Sequence, residues 1–430
     1  MFKKIFRSSL FKNALTLLSG SLLGQALPVV VSPLLTRYYS PSDFALFAVF
    51  MGGVSVLGVV ASGRYALALM LPKSEERALD VFFLSLGVAA GFGLVVWLIL
   101  YGQRAWLAGL IKSPESAEWV GWIVLAAVLT ASLQSLNYLF NRNDRYRSIS
   151  LSKAFQGVGV ALGSLCLAIL GVEGGLIIGY MVGQVVALVV FGYSLRVFSE
   201  KFAAYFAISF AQIKGNLIAA AIRYREYPIF NAPAALCDTL SVHLPIFIFS
   251  AAYSTQTVGL FSLTYRVTEL PVTLLAFTIS QLLFQRFAVE QRQESDIRRT
   301  FLKTSLALLL IPIPFVIVLL LFGPSLFAWI FGEEWYDSGR YAQILVLAVW
   351  IKFVVSPQSS MFFVQGRVRL ASYWQYAYLV TTAGVLGGGV WLAAPFEQVL
   401  WAFVLNELLM YLIYFFLIFN ILPPKNNVRN

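Results

Sequence analysis

Tyr39-Ser40-Pro41-Ser42-Asp43-Phe44-Ala45-Leu46-Phe47 is nearly repeated, 214 positions later, by Tyr253-Ser254-Thr255-Gln256-Thr257-Val258-Gly259-Leu260-Phe261. Each copy lies between the first and second long apolar segments of its half of the chain. A repeat placed this way predicts a duplicated fold of two six-helix lobes, an arrangement common among membrane transporters.

Composition sets the solvent. The chain has 430 residues, 59% hydrophobic and 12% charged, where a soluble domain carries roughly 25% charged residues. Its apolar stretches run about 20 residues, enough for a helix to cross a hydrocarbon core roughly 30 Å thick. A β-barrel would instead show alternating segments of about 10 residues, and the sequence has none. No cleavable leader is expected, because the first apolar run is interrupted by Gln25, Pro28 and Pro33 and lacks a clear small-residue cleavage site. Cys166 and Cys237 fall in or beside apolar spans and suggest neither a disulfide framework nor a metal spacing, so they read as small apolar packers.

The hydropathy pattern predicts twelve spans: 14–36, 44–63, 79–101, 119–140, 154–171, 174–194, 233–252, 257–284, 304–322, 341–363, 371–393 and 397–422. Residues 1–195 then form an N-terminal lobe, 196–232 a linker and 233–430 a C-terminal lobe. Alternate connections differ sharply in charge. One set holds 25 of the 31 Lys and Arg residues; the other holds only Arg37, Arg104, Lys112 and Arg340. Positive charge beside helix ends stays cytoplasmic, which places both termini inside. The net charge of +11 is therefore a topology signal, with attraction to anionic lipids second, and not a nucleic-acid footprint. The linker mixes apolar residues with Lys201, Lys214, Arg223 and Arg225 and reads either as an amphipathic interfacial segment or as a plain connection.

A second pair supports the duplication. Asn143-Asp144-Arg145-Tyr146-Arg147 follows the fourth span and Gln365-Gly366-Arg367-Val368-Arg369 the tenth, so each lobe carries an Arg-x-Arg at the same inner corner. Six spans per lobe give the lobes one orientation, related by an axis along the membrane normal.

Beyond the first turn, the runs Tyr227-Pro228-Ile229-Phe230 to Leu244-Pro245, Val258-Gly259-Leu260-Phe261, Tyr265-Arg266 and Leu270-Pro271 resemble the start of the second lobe in polysaccharide repeat-unit flippases. Phe331-Gly332-Glu333-Glu334-Trp335 and Ser356-Pro357 are similar to the same family, as is Leu35-Thr36-Arg37-Tyr38 leading into the first Tyr-Ser turn. The resemblance covers roughly residues 10 to 420 and rests on order and spacing. It places the chain in the multidrug/oligosaccharidyl-lipid/polysaccharide exporter superfamily. It implies two six-helix lobes around a central cavity, and alternating access in a bacterial cytoplasmic (inner) membrane. It implies no cofactor. The implied cargo is an undecaprenyl-diphosphate-linked oligosaccharide for O-antigen or other surface polysaccharide. The implied partners are membrane lipids, a polysaccharide polymerase and chain-length machinery. A multidrug or small-molecule exporter of the same superfamily is the alternative. An enzyme is not expected: outer loops are too short for a catalytic domain, and no nucleotide-binding motif is present.

A carrier of such a cargo needs cationic groups at depth, and charge in mid-membrane is a functional candidate by default. Arg266 lies about nine residues into the eighth span, roughly 13 Å deep at 1.5 Å per residue. Its guanidinium suits phosphate oxygens, but Glu269, three residues on, equally suits it as a neutralising partner. Lys352, in the tenth span, is read either as a phosphate contact or as the ion-pair partner of Glu407 in the twelfth. Glu407 is a candidate for H+ coupling, and the coupling ion, H+ or Na+, stays open. His243, the only histidine, with Asp238, reads as a proton relay or as a hydrogen-bonded packing residue; the pair is not a metal site. Arg37 flanks the first outer turn, while Arg145 and Arg367 are candidates for collecting diphosphate at the inner mouth or for binding headgroups. Pro28 and Pro271 each interrupt helix hydrogen bonding and are candidate hinges.

Overall fold

The computed structural model describes residues 9–103, 116–293 and 296–422. Among these there are helices and no strands. In chain order they are α1 (Ser9–Val30), α2 (Ser32–Leu35), α3 (Pro41–Ala61), α4 (Tyr65–Ala68), α5 (Glu75–Gly102), α6 (Ser116–Arg142), α7 (Tyr146–Ile169), α8 (Gly175–Ser194), α9 (Ser199–Phe206) and α10 (Phe210–Arg223). There follow α11 (Ala232–Ala252), α12 (Thr255–Arg292), α13 (Ile297–Leu310), α14 (Ile313–Phe331), α15 (Tyr336–Val355), α16 (Met361–Val364), α17 (Val368–Trp391) and α18 (Phe396–Ile421). Each of the twelve expected spans falls on one helix or a broken pair. Nine helical stretches among the described residues are long and apolar enough to cross a membrane. The protein is an all-helical, multi-pass membrane protein. Arg104, Trp106 and Lys112 lie outside the described residues.

The chain divides into two compact units, Met1–Ala251 and Ala252–Asn430. In the first, α7 is sandwiched between α1 and α8. Glycines let these backbones close: a Cβ on Gly157 would lie 2.6 Å from Gly24 Cα, and one on Gly179 would lie 2.5 Å from Ser164 N. Small residues at such crossings replace the hydrophobic driving force that lipid removes. The first span is interrupted as its prolines predict. Pro28 sits in α1, which stops at Val30, and Pro33 opens α2. The Ser32 hydroxyl donates to the Pro28 carbonyl at 3.0 Å and satisfies one acceptor at the break.

The linker is ordered. Phe202 and Tyr205 of α9 pack with Phe82 and Phe83 of α5 in one apolar cluster, where Phe83 and Tyr205 stack with ring centroids 4.8 Å apart. The Tyr205 hydroxyl donates to Asp80 at 3.0 Å, and Lys201 pairs with Glu75 at 2.9 Å. The other faces of α9 and α10 leave Phe206, Phe210, Ile218 and Ile222 exposed, as an amphipathic interfacial segment should.

In the second unit, α12 is continuous for 38 residues, about 57 Å. The side chain of Pro271 within it lies outside the described residues. The ninth span breaks at Ile311-Pro312, and the tenth passes into a 3₁₀ turn at Ser356–Gln358 before α16. Trp335 ends the 3₁₀ turn Glu333–Trp335 that leads into α15. It is fully buried, the bulkiest of the fully buried side chains. Cys166 is exposed and not a packer, while Cys237 is half-buried; both are free thiols.

The duplicated corners share local structure. Ser40 and Ser254 cap α3 and α12, accepting from the amides of Asp43 at 3.4 Å and Thr257 at 3.2 Å. The preceding tyrosines reach far along the chain: Tyr39 donates to Ser164 O at 3.0 Å and Tyr253 to Ala394 O at 2.9 Å. At the two Arg-x-Arg corners, Asp144 and Gly366 have φ of 55° and 66°. The next amides, of Arg145 and Arg367, donate to Phe140 O at 2.9 Å and Phe362 O at 2.8 Å. The same turn has been built twice.

Candidate functional site

The deepest charges of the second unit converge. Glu269 on α12, Lys352 on α15 and Glu407 on α18 come from three separate spans. Lys352 Nζ lies 3.0 Å from Glu269 Oε1 and 2.7 Å from Glu407 Oε2. Glu407 has no exposed surface, and the side chains of Lys352 and Glu269 are 13% and 12% exposed. Tyr378, on α17, donates its hydroxyl proton to Glu407 Oε1. The ring of Tyr411 lies 5.8 Å from Lys352 Nζ, within range for a cation–π attraction.

Packing fixes these groups. Trp374 stacks on Tyr378 with centroids 5.3 Å apart, and its indole N–H donates to Met410 O at 2.8 Å. Glu407 and Tyr411 are four residues apart on α18, so one helix face presents both. The cluster joins four spans by polar contacts. If every member is ionised, two carboxylates face one ammonium and one negative charge remains. Such a site can take up a proton, or exchange one carboxylate on Lys352 for another anion.

Other expected residues are placed less centrally. Arg266 is half-buried on α12 and is not a free cation. Its i+3 neighbour Glu269 is held by Lys352. Lys352 does meet Glu407, and Glu269 as well. His243 is half-buried and Asp238 exposed, both on α11; five residues apart, they point about 140° apart around the helix. Arg37, Arg145 and Arg367 are all exposed, at the turn before α3 and immediately before α7 and α17. Among the described residues no group of three or more His, Cys, Asp and Glu could hold a metal.

Sequence reasoning passed over two contributors. Tyr378 and Tyr411 carry no periodic signal, being two aromatics in an aromatic-rich chain. Arg142, in the last turn of α6, is a third such residue. It folds back on the loop before α5, donating to Leu69 O at 3.0 Å and Pro72 O at 2.6 Å and meeting Glu75 at 3.5 Å.

These features define the class: an all-helical transporter fold with ionisable groups buried among its spans. Comparison with known proteins makes the assignment firmer. The chain belongs to the polysaccharide biosynthesis protein family, whose pattern matches residues 34–340. It is similar to the teichuronic acid biosynthesis protein TuaB of Bacillus subtilis (strain 168), with 20% identity over 289 residues. That match covers 67% of this chain and 58% of the length of TuaB. Among solved structures, an inward-facing multidrug resistance MATE family transporter of the MOP superfamily matches with a TM-score of 0.69 at 15% identity, covering 92% of this chain and 93% of the other. The lipid II flippase MurJ, in an inward closed conformation, matches with a TM-score of 0.69 at 13% identity, covering 92% and 86%. The two likenesses establish a MATE-like fold.

Proposed function

We propose that this protein is a flippase for undecaprenyl-diphosphate-linked oligosaccharide repeat units, moving them across a bacterial cytoplasmic membrane by alternating access. The observation that carries the reading is the family match across residues 34–340 in a chain whose fold is that of exporters and of a lipid II flippase. The charge bias of the loops supports cytoplasmic termini.

The buried cluster suits the task. Lys352 is already neutralised by two carboxylates. A diphosphate that reaches it must displace Glu269 or Glu407, and the displaced carboxylate then takes up a proton or a new partner. Substrate arrival and the links among α12, α15 and α18 are in this way coupled. Arg266, three residues before Glu269 on α12, is assigned to the same anionic headgroup, with the exposed Arg145 and Arg367 collecting it from the inner leaflet. Arg37 at the first outer turn is assigned to release.

Deletion of the protein tests the reading. Lipid-linked repeat units should accumulate on the cytoplasmic face and surface polysaccharide should disappear, with dye efflux unchanged. Intact polysaccharide display with reduced efflux would assign the protein to drug export instead. Arg266→Ala should abolish complementation and Arg266→Lys retain part of it; full activity in both removes Arg266 from the mechanism.

A further inference from the structure

The first unit holds a cavity of about 380 Å³ among α3, α6, α7, α8 and α11, within the roughly 300–1,000 Å³ of small-molecule sites. Ser55, Thr130, Asn137, Gln156, Tyr180 and Gln184 supply most of its polar wall, and among the described residues no Asp, Glu, Lys, Arg or His lines it. It is polar without being charged, unlike the Lys352 cluster of the second unit.

The direction of its hydrogen bonds sets what it accepts. Asn137 Nδ2 donates to Leu133 O at 2.9 Å. Gln184 Nε2 donates to Thr130 Oγ1 at 3.1 Å and to the Tyr180 hydroxyl at 2.5 Å. The hydroxyls of Ser55 and Thr239, which also line the cavity, donate to Met51 O at 2.7 Å and Ala235 O at 2.9 Å. These donors are spent on the protein itself. The amides of Gln134 and Gln156 line it too, so the wall offers donors together with acceptors. Two of the acceptors, Asn137 Oδ1 and Gln184 Oε1, are buried with no partner, and Gln184 is only 1% exposed. A buried acceptor left unpaired is costly, so such atoms normally meet a ligand or an ordered water. Tyr180 is held by the edges of Phe47 and Phe50, at centroid distances of 6.5 and 5.9 Å, so the wall is braced.

We infer that this cavity is a subsite for the neutral hydroxyl and amide groups of the glycan, separate from the charged cluster that takes the diphosphate; the inference rests on the flippase reading above. A sugar hydroxyl both donates and accepts, which matches a neutral wall of amides and hydroxyls. A phosphate meets no cationic side chain among the described residues of this wall. A multivalent cation finds no carboxylate to offset its charge. Gly58, Val59 and Leu133 in the same wall suit the apolar C–H face of a pyranose.

The test is calorimetric titration of the purified full-length protein in detergent with two probes. One is a short prenyl diphosphate; the other is the same prenyl diphosphate bearing a neutral N-acetylhexosamine disaccharide. Both are measured in sodium and in choline buffers. The sugar-bearing probe should bind at least fivefold tighter. Asn137→Leu should cut that margin by about two- to tenfold, the worth of one hydrogen bond, and leave the bare diphosphate unaffected. Should that variant not fold, Ser55→Ala, which removes a hydroxyl bonded to its own helix, gives the second reading of the same margin. Equal affinity for the two probes in the unaltered protein overturns the subsite and leaves the flippase reading standing. Binding of neither probe overturns both. A margin that follows sodium and not the sugar overturns the subsite in favour of a monovalent cation.

Discussion

Lys352 is the residue whose loss the second unit should tolerate least. Its ammonium lies 2.7 Å from one Glu407 oxygen and 3.0 Å from one of Glu269, and Glu407 has no exposed surface. Replacing it with methionine keeps most of the volume and removes the charge. Two carboxylates are then left uncompensated, Glu407 with no exposed surface and Glu269 with little. Breaking a buried pair by removing one partner costs about 3–5 kcal/mol, because the remaining charge stays buried and uncompensated. The second unit, Ala252–Asn430, falls in the size class where each kcal/mol moves the midpoint by about 2–4 °C. Lys352→Met should therefore lower the unfolding midpoint of the purified protein in detergent by roughly 6–20 °C. Adding Glu269→Gln and Glu407→Gln to that variant removes the stranded charges and should recover much of the loss, since neutral replacement of a buried ion cluster is often close to neutral in stability. Glu269→Gln alone should cost less than the lysine variant, because Lys352 keeps Glu407. A lysine variant that unfolds within about 2 °C of the parent, or a triple variant no more stable than the single one, would refute the assignment of this cluster as a compensated buried triad.

Three other outcomes follow from the geometry, each read by thermal unfolding in detergent. Gly157→Leu places a side chain where even a Cβ meets Gly24 Cα at 2.6 Å, so α1 must separate from α7 and the midpoint should fall by several degrees; an unchanged midpoint would mean that this crossing is loose. Ser40→Ala and Ser254→Ala each remove an N-cap and should cost about 1 kcal/mol, with Ser40→Ala the larger because the Ser40 hydroxyl also donates to the Asp43 carboxylate at 2.8 Å. Tyr39, in the turn outside the spans, has its pKa pushed up to about 12 by burial and then by Asp43. A group whose folded pKa is raised contributes fully below its unfolded pKa, about 10, and that contribution is lost as pH rises toward 12. The protein should thus lose stability between those values, and Tyr39→Phe should lose less over the same range.

Much of this architecture was legible in the chain because lipid imposes strict length and polarity rules on helices. All twelve expected spans coincide with helices, and Pro28 and Pro33 mark the break in the first. The partner of Glu269 was not legible. Helical spacing favours Arg266 at i−3, whereas Lys352 arrives from another span, 83 positions away. No local periodicity encodes such a contact, because it depends on how helices are packed side by side. Asn137 and Gln184 were passed over for a related reason: an amide inside an apolar span is a weak signal until its oxygen is seen to lack a partner.

The two copies of the fold also diverge in a way that only coordinates make physical. Position 266 in the second copy corresponds to Gly52 in the first, by the 214-residue offset of the Tyr-Ser turns. A Cβ on Gly52 would lie 2.9 Å from the tip of the Phe247 ring, so a side chain enters there only if that ring shifts. The first unit instead places uncharged amides and hydroxyls around its cavity, while the second gathers a lysine and two glutamates. The caps and corner turns are alike in the two halves. The interior positions differ, with neutral hydrogen bonding in the first unit and charge in the second. The cargo proposed above, a neutral glycan carried on an anionic diphosphate, matches that division of labour.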